Sequence, residues 1–330
     1  MEEKKEPMFK LPKEFNIIEK EIQELRCGEN PHQKGWFLKS YPLTDEPCIS
    51  NAMQIQIGEK EFSFTNILDA NIAIECIKEF PDKPACVIIK HATPCGIALA
   101  DTSLQAWEDA YTTDTKSPYG GIVAFNRTLS KEVGQRLSKQ YLEVIIAPDY
   151  SQEALSIFSS KKKLRLLELP GLDKKIKRKG LEFRSVVGGF IVQERDVKPS
   201  NKNDWKVVTE NKPDETDLNS MDFAVNCVKH IKSNSVVFVK GTRTVGIGGG
   251  QTSRVDAVQI ATHKGGDNIN GSIMASDAFF PFRDGVDAAA DFGVKIIVQP
   301  GGSKKDDEVI RAANEHGIAM VFTGQRYFRH

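Results

Sequence analysis

Short apolar runs of strand length alternate with segments of helical period along most of the chain. Residues 67–79 place Ile, Leu and Ala at helical spacing, and the run 85–90 that follows reads as a buried strand. Further strands are predicted at 122–125, 144–147, 188–193, 235–240, 244–247, 273–276, 295–298 and 319–322. Helical periods fill 130–140, 151–159, 217–231, 252–262, 284–291 and 305–316. This alternation predicts an α/β fold with mainly parallel or mixed sheets.

The pattern is least regular over 160–215, where Lys161-Lys-Lys163 and a second basic run from Lys174 precede a polar stretch from Pro199 to Asp217. A domain junction is expected near residue 200. The boundaries read as a charged lead over 1–24, a first domain over 25–200 and a second over 201–330. The same order of helices and strands recurs on both sides of the junction, a hint of duplication, but no fixed sequence period accompanies it. A charge run is ordinarily a solvated face. For Lys161–Lys163, contact with a phosphate stays open beside that reading.

Composition narrows the function. Lys plus Arg and Asp plus Glu both number 45, so there is no global electrostatic case for nucleic acid or an anionic membrane. No apolar run approaches the roughly 20 residues of a membrane span, and the first residues lack the core of a signal peptide. The six cysteines are scattered with no C-x-x-C pair, which fits reduced thiols in a cytoplasmic protein rather than a zinc site.

Four clusters set reactive residue types at the ends of apolar strands, where α/β proteins build sites. Leu25-Arg-Cys-Gly-Glu-Asn-Pro-His-Gln33 offers Arg26 on a tight turn, suited to a phosphate. Val87-Ile-Ile-Lys-His-Ala-Thr-Pro-Cys-Gly96 ends a strand in Lys90-His91, with Pro94 and Gly96 read as forcing a turn; adjacent titratable groups there suit a base working near neutral pH. Lys232-Ser-Asn-Ser235 and Gly246-Ile-Gly-Gly-Gly-Gln-Thr-Ser-Arg254 supply an amide and a glycine-rich approach to a helix start. That second segment is neither a Walker loop nor a dinucleotide fingerprint. The fourth cluster joins Ala275-Ser-Asp-Ala-Phe-Phe-Pro-Phe-Arg-Asp284 and Gln299-Pro-Gly-Gly-Ser303 to an aromatic, arginine-rich ending, Phe322-Thr-Gly-Gln-Arg-Tyr-Phe-Arg-His330. Each cluster alone is ordinary loop or core.

Together and in this order, with Tyr119-Gly-Gly-Ile-Val-Ala-Phe-Asn126, they closely resemble the transformylase domain of the bifunctional purine-biosynthesis enzymes (AICAR transformylase/IMP cyclohydrolase). The resemblance runs from about Leu25 to His330. It implies a duplicated cytidine-deaminase-like fold of three α/β/α layers without zinc, and a cytoplasmic homodimer with active sites at the subunit interface. The implied reaction is that of a phosphoribosylaminoimidazolecarboxamide formyltransferase: formyl passes from 10-formyltetrahydrofolate to the 5-amino group of AICAR, giving FAICAR. The family's cyclohydrolase domain would precede residue 25. The short lead implies a free-standing transformylase, with ring closure left to a separate IMP cyclohydrolase.

By resemblance, His91 is the base, Lys90 protonates the departing folate nitrogen, Asn234 holds the formyl oxygen or the carboxamide, and His330 supports the site. Arg26 and Arg326 correspond to phosphate clamps, joined by one of Lys161–Lys163. Cys27, Asn66, Tyr119, Gly120 and Arg254 correspond to nucleotide contacts, and Phe279, Pro281 and Asp284 to the folate wall. The family also carries a potassium ion near Asp277; nothing in this sequence demands one.

Two departures bear on this. Cys27 stands where the family usually has a tyrosine, and only a short connector, His263 to Ser272, occupies the place of a long insertion that helps line the folate site. Two alternatives follow: an AICAR formyltransferase with a non-folate donor, or a silent nucleotide-binding subunit of a separate cyclohydrolase.

Overall fold

The computed structural model describes residues 19–40, 44–177 and 179–330. Residues 1–18 of the charged lead therefore lie outside the described residues, and 19–24 belong to the first strand. The first half runs β1 (Glu19–Leu25), β2 (Gly35–Ser40), β3 (Met53–Gln56), α1 (Phe64–Ile77), β4 (Ala85–Lys90), β5 (Thr93–Leu99), α2 (Ser103–Tyr111), β6 (Gly121–Phe125), α3 (Lys131–Leu137), β7 (Leu142–Ala147), α4 (Gln152–Phe158) and β8 (Arg165–Glu168). A hairpin of β9 (Leu181–Val186) and β10 (Gly189–Glu194) and the short β11 (Lys206–Val207) follow. The second half repeats the plan with α5 (Leu218–Val228), β12 (Val236–Lys240), β13 (Arg243–Gly248), α6 (Arg254–Gly265), β14 (Ile273–Ser276), α7 (Asp284–Ala290), β15 (Ile296–Gln299), α8 (Asp306–Glu315) and β16 (Ala319–Phe322).

One 12-stranded sheet carries both halves, in the order β11-β16-β15-β14-β12-β13-β5-β4-β6-β7-β8-β3. Outward from the β13–β5 junction each half has the same strand order. In each, two antiparallel partners flank the first strand of its hairpin and three strands run parallel beyond. The duplication hinted at by element order is therefore explicit. Helices α1 and α5 cover one face and share a single core that draws on strands of both halves. On the other face, α2, α3 and α4 pack over the first half, and α6, α7 and α8 over the second. The α/β class and its three layers stand as expected. The expected division near residue 200 falls between β10 and β11.

The sequence does carry a repeat. Asn71-Ile-Ala-Ile-Glu-Cys-Ile-Lys-Glu79 matches Asp222-Phe-Ala-Val-Asn-Cys-Val-Lys-His230, and Val87-Ile-Ile-Lys-His-Ala-Thr-Pro-Cys-Gly-Ile97 matches Val237-Phe-Val-Lys-Gly-Thr-Arg-Thr-Val-Gly-Ile247. Pro94 and Gly96, expected to force a turn, lie inside β5 instead. The turn needs only His91 and Ala92, because Lys90 already pairs with Thr93. Gly96 is required by packing: a Cβ there would collide with the carbonyl oxygen of Ala110 in α2, as one at Gly248 would with Ala257 in α6. The run expected as a strand at 188–193 belongs to the separate β9–β10 hairpin rather than to the main sheet.

The ends of α1 and α5 meet through repeat-related residues. His230 Nε2 lies 3.1 Å from Glu79 Oε1, which also receives Lys177 Nζ at 2.7 Å and Lys229 Nζ at 3.0 Å. Arg329 lies against His230 Nδ1 at 3.2 Å. Because arginine can only donate, Nδ1 accepts and the ring is the neutral Nε2–H tautomer. Burial opposes charge on Glu79, but the His230 hydrogen bond and the lysines win and hold its carboxyl well below the usual range. Burial pushes His230 down to about 3, with Glu79 opposing and Lys177 and Arg329 assisting.

Both shifts act in the same direction. The folded His230 value lies below the ordinary 6.5, so its stabilising contribution is complete above that pH and is lost as pH falls toward 3. Glu79 adds to the loss below its ordinary 4.5. Unfolding free energy measured from pH 7 to pH 5 should therefore fall with a slope approaching about 1.4 kcal/mol per pH unit from His230. The variant His230→Asn should lose that component. An unchanged slope in the variant contradicts the assignment.

Candidate active site

The first wall of the site is built on the β4–β5 turn. Lys90 ends β4 and its Nζ donates to the carbonyl oxygens of Tyr119 at 2.9 Å and Gly120 at 3.2 Å. Tyr119 is exposed and its ring packs 4.9 Å from that of Tyr141. His91 and Ala92 both take left-handed backbone angles, φ 52 and φ 59. Neither is glycine, so this turn stores strain on the order of 1–3 kcal/mol per residue. Strain of that kind persists where the surroundings over-determine it.

Arg26 and Cys27 lie beside the start of α1. Arg26 N donates to Phe62 O, and Cys27 O accepts from Phe64 N. Asn66, expected to contact a nucleotide, is buried and occupied in the fold. Its Oδ1 accepts from Ser63 N at 3.1 Å, its own amide is capped by Ser63 Oγ, and its Nδ2 donates to Glu143 Oε2 at 2.6 Å. This is the capping box of α1, which makes Asn66 a residue that orients Glu143. Lys161–Lys163 line a separate cavity of about 360 Å³ with Tyr141 and Glu59.

The second wall comes from the loops before β12 and α6. Asn234 and Gln251 exchange backbone hydrogen bonds of 3.0 and 3.3 Å. The Asn234 side chain donates from Nδ2 to Gln251 O at 2.9 Å and Thr252 O at 3.1 Å, and its Oδ1 accepts from Arg254 Nη2 at 2.8 Å. Arg254, expected as a nucleotide contact, is buried with its Nη1 on Ser235 O and on the Asp277 carboxylate. Its guanidinium also holds Asn234 through Oδ1.

Asp277 occupies the repeat position of Asn126. Both are fully buried, and both accept from the backbone at the start of a hairpin strand: Asn126 from Ala85 N, Asp277 from Ser235 N. The second half places a charge there and adds Arg254 to neutralise it. Asp277 also accepts from the Ser233 hydroxyl. Three of the carboxylate's roughly four lone-pair sites are then taken, and the one left on Oδ2 leaves it able to help hold a potassium ion. Among the described residues no group of three or more His, Cys, Asp or Glu is placed to hold a metal ion. Nor is any described helix long and apolar enough to cross a membrane.

The two walls face one cleft of about 270 Å³, lined by Lys90, His91 and Cys95 from the first half and by Gly249, Gln251 and Lys264 from the second. Lys264 closes it through an ion pair of 3.1 Å with Asp114. Burial pushes the Cys95 thiol up to about 12, which favours its protonated form. Of the other residues expected at the site, Arg26, Cys27, Asn66, Tyr119, Gly120, Asn234, Arg254, Phe279, Pro281, Asp284, Arg326 and His330 are not among the cleft's lining residues. Phe279 and Asp284 sit exposed around the start of α7. The tail nonetheless reaches the Asn234 loop, since Ser233 N donates to Arg329 O and Tyr327 N to Asp277 O, both at 2.8 Å. Arg326 stacks 4.3 Å from the Phe328 ring centroid, and the ring of His330 lies 5.5 Å from the same ring.

Sequence reasoning missed Glu143, Asp114 and Lys264. Each sits outside the conspicuous motifs, and only the tertiary fold brings it to the site. Arg254→Ala should leave the buried Asp277 charge unpaired and cost about 3–5 kcal/mol. Arg254→Lys should recover little, because an ammonium cannot span Asn234, Ser235 and Asp277 together. A melting temperature within a degree of the parent for either variant would contradict this network.

The family described as AICARFT/IMPCHase bienzyme matches residues 1–264. The chain is 47% identical over 331 aligned residues to the bifunctional purine biosynthesis protein PurH of Magnetococcus marinus, covering 97% of this chain and 62% of that protein. It is also 47% identical over 325 residues to the protein of the same name from Persephonella marina, with the same coverage. The chain thus spans less than two thirds of the length of these relatives.

Proposed function

The chain belongs to the AICARFT/IMPCHase bienzyme family, and from that premise we propose that it transfers a formyl group from 10-formyltetrahydrofolate to the 5-amino group of AICAR. The observation that carries this reading is the cleft that Lys90 and His91 of one half line together with Gln251 of the other, whose backbone Asn234 holds.

The AICAR amine is conjugated with its ring and carboxamide, so it must lose a proton as it attacks. His91 is the exposed base at the cleft mouth. As the amine nitrogen bonds to the formyl carbon, its proton passes to His91 and an oxyanion forms. Collapse breaks the bond between that carbon and the folate nitrogen, which takes a proton from Lys90. Two of the three ammonium hydrogens of Lys90 are held by the Tyr119 and Gly120 carbonyls; the third is free to point at the reacting atoms.

The geometry bears on the two roles open to Asn234. Its amide hydrogens are spent on Gln251 and Thr252, while Oδ1 keeps a second lone pair beside Arg254. This supports accepting from the substrate carboxamide over donating to the formyl oxygen. Arg26, Arg326 and the Lys161–Lys163 run supply the cations for the phosphate. Phe279, Pro281 and Asp284 supply a ring wall and a carboxylate suited to a pterin.

A second copy of the chain would complete such a site. Trp36, Leu38, Met53 and Ile57 are exposed in the first half, and the β9–β10 hairpin exposes Val187, Phe190 and Ile191. Exposed apolar side chains such as these are what a subunit interface would cover. Light scattering should give twice the 36.7 kDa chain mass; a monomer at micromolar concentration would overturn the dimer.

The reaction itself is tested by following tetrahydrofolate release with AICAR and 10-formyltetrahydrofolate. His91→Ala should lower kcat about a hundredfold or more with AICAR still bound. Arg326→Ala should weaken AICAR binding by roughly 1.5–3 kcal/mol. Firm AICAR binding without turnover would reject the folate donor, and wild-type kinetics in both variants would reject the site.

A further inference from the structure

The strained turn that carries Lys90 and His91 rests on one side chain outside the site described so far. Asp69 lies in α1, three residues beyond Asn66, on the face that turns into the shared core with Ala70, Ile72 and Ala73. It is 8% exposed, and its Oδ1 accepts from the backbone N–H of Ala92 at 2.7 Å. The neighbouring N–H of His91 also favours the charged form of the carboxylate. No described ion pair neutralises it, and Lys90 is among the charged groups that favour its ionised form. Burial pushes its carboxyl up, against the pull of those two amides. A carboxylate placed on a helix face packed with alanine and isoleucine is costly unless something uses it.

The repeat supplies an internal comparison. The equivalent turn, between β12 and β13, follows Lys240 as the first follows Lys90. There the left-handed position is Gly241, at φ 58, which needs no clamp. In α5 the position matching Asp69 is Ser220. The buried carboxylate is thus found in the half whose turn holds histidine and alanine in left-handed angles, and is missing from the half whose turn begins with glycine. A turn held together for stability alone would be built as the second half builds it.

We propose that Asp69 is the positioning residue of the Lys90–His91 pair, its carboxylate clamping the turn through the Ala92 amide so that the His91 imidazole is presented to the cleft. The proposal rests on the reading of this pair as the acid and base of formyl transfer, and it deepens that reading. Asp69 touches no reacting atom; it acts through the backbone of the turn. Glycine is absent from the turn because freedom at His91 would let the imidazole swing, and the carboxylate offsets the strain that its absence creates.

The test compares Asp69→Ala, Asp69→Asn and the double variant Asp69→Ala/Ala92→Gly with the parent. Steady-state AICAR kinetics and hydrogen exchange at the Ala92 amide are read in parallel. Asp69→Ala should lower kcat by about tenfold or more, the scale of misplacing a reacting group. KM for AICAR should move by less than about threefold, since the phosphate and ring contacts lie elsewhere. Exchange at the Ala92 amide should accelerate. Asp69→Asn, which keeps an acceptor oxygen, should recover most of kcat. The double variant should recover stability, because glycine accepts the left-handed angle, but not kcat; it also keeps the test open if Asp69→Ala fails to fold.

Unchanged kcat with unchanged amide protection in Asp69→Ala would overturn the proposal. So would full recovery of kcat in the double variant, because it would show that Asp69 serves only to offset strain. If the parent shows no formyl transfer, the reading of the pair fails on its own, and amide protection still decides whether Asp69 clamps the turn.

Discussion

Two half-sheets that pair edge to edge remove two exposed strand edges at once, and the direction of that pairing dictates what meets across it. Here β5 and β13 run antiparallel, with Arg243 opposite Ala98. Thr244 reinforces the seam, its hydroxyl accepting from Ile97 N at 2.9 Å and donating to Ile97 O at 3.1 Å. An antiparallel seam brings the turn at the start of β5 beside the end of β13. That is how the Lys90–His91 turn comes to face Gly249 and Gln251, residues far away in sequence. A parallel seam would have separated them.

Duplication then creates two related places, and the chain has made them unlike. Where the first half closes its hairpin with His91 and Ala92, the second uses Gly241. Where the first half anchors its hairpin strand with neutral Asn126, the second uses Asp277 and must add Arg254. Each change introduces a buried charge or a strained backbone that a stable sheet does not require; the first lies at the cleft and the second behind Asn234. Their cost is borne by the large shared core over which α1 and α5 pack. The Glu79–His230 contact between those helices also holds Arg329, and through it the tail that reaches Ser233.

Much of this was legible in the sequence. The strand at 85–90 was read at its true bounds because every residue before Lys90 is apolar and buried. The adjoining β5 was missed because Pro94 and Gly96 resemble turn residues, although one tolerates a bulged register and the other admits α2. Residue types in the motifs pointed to candidate groups but not to what the fold asks of each. Asn66 and Arg254 have the groups that bind nucleotides, and the fold also engages them in a helix cap and with a buried carboxylate. Spacing alone cannot tell a side chain that faces a ligand from one that holds its neighbour. Asp69 gives no local signal at all, since its partner is a backbone amide in a turn whose angles only the fold reveals.

The central claim is that one ligand site is assembled from the β4–β5 turn of the first half and the Asn234 loop of the second. A crystal structure of the protein with AICAR bound tests it most directly. The account is supported if the imidazole carboxamide lies in the cleft, with its amine within reach of His91 and its carboxamide on Asn234 Oδ1. A nucleotide bound firmly elsewhere, with His91 and Asn234 facing solvent, would contradict it.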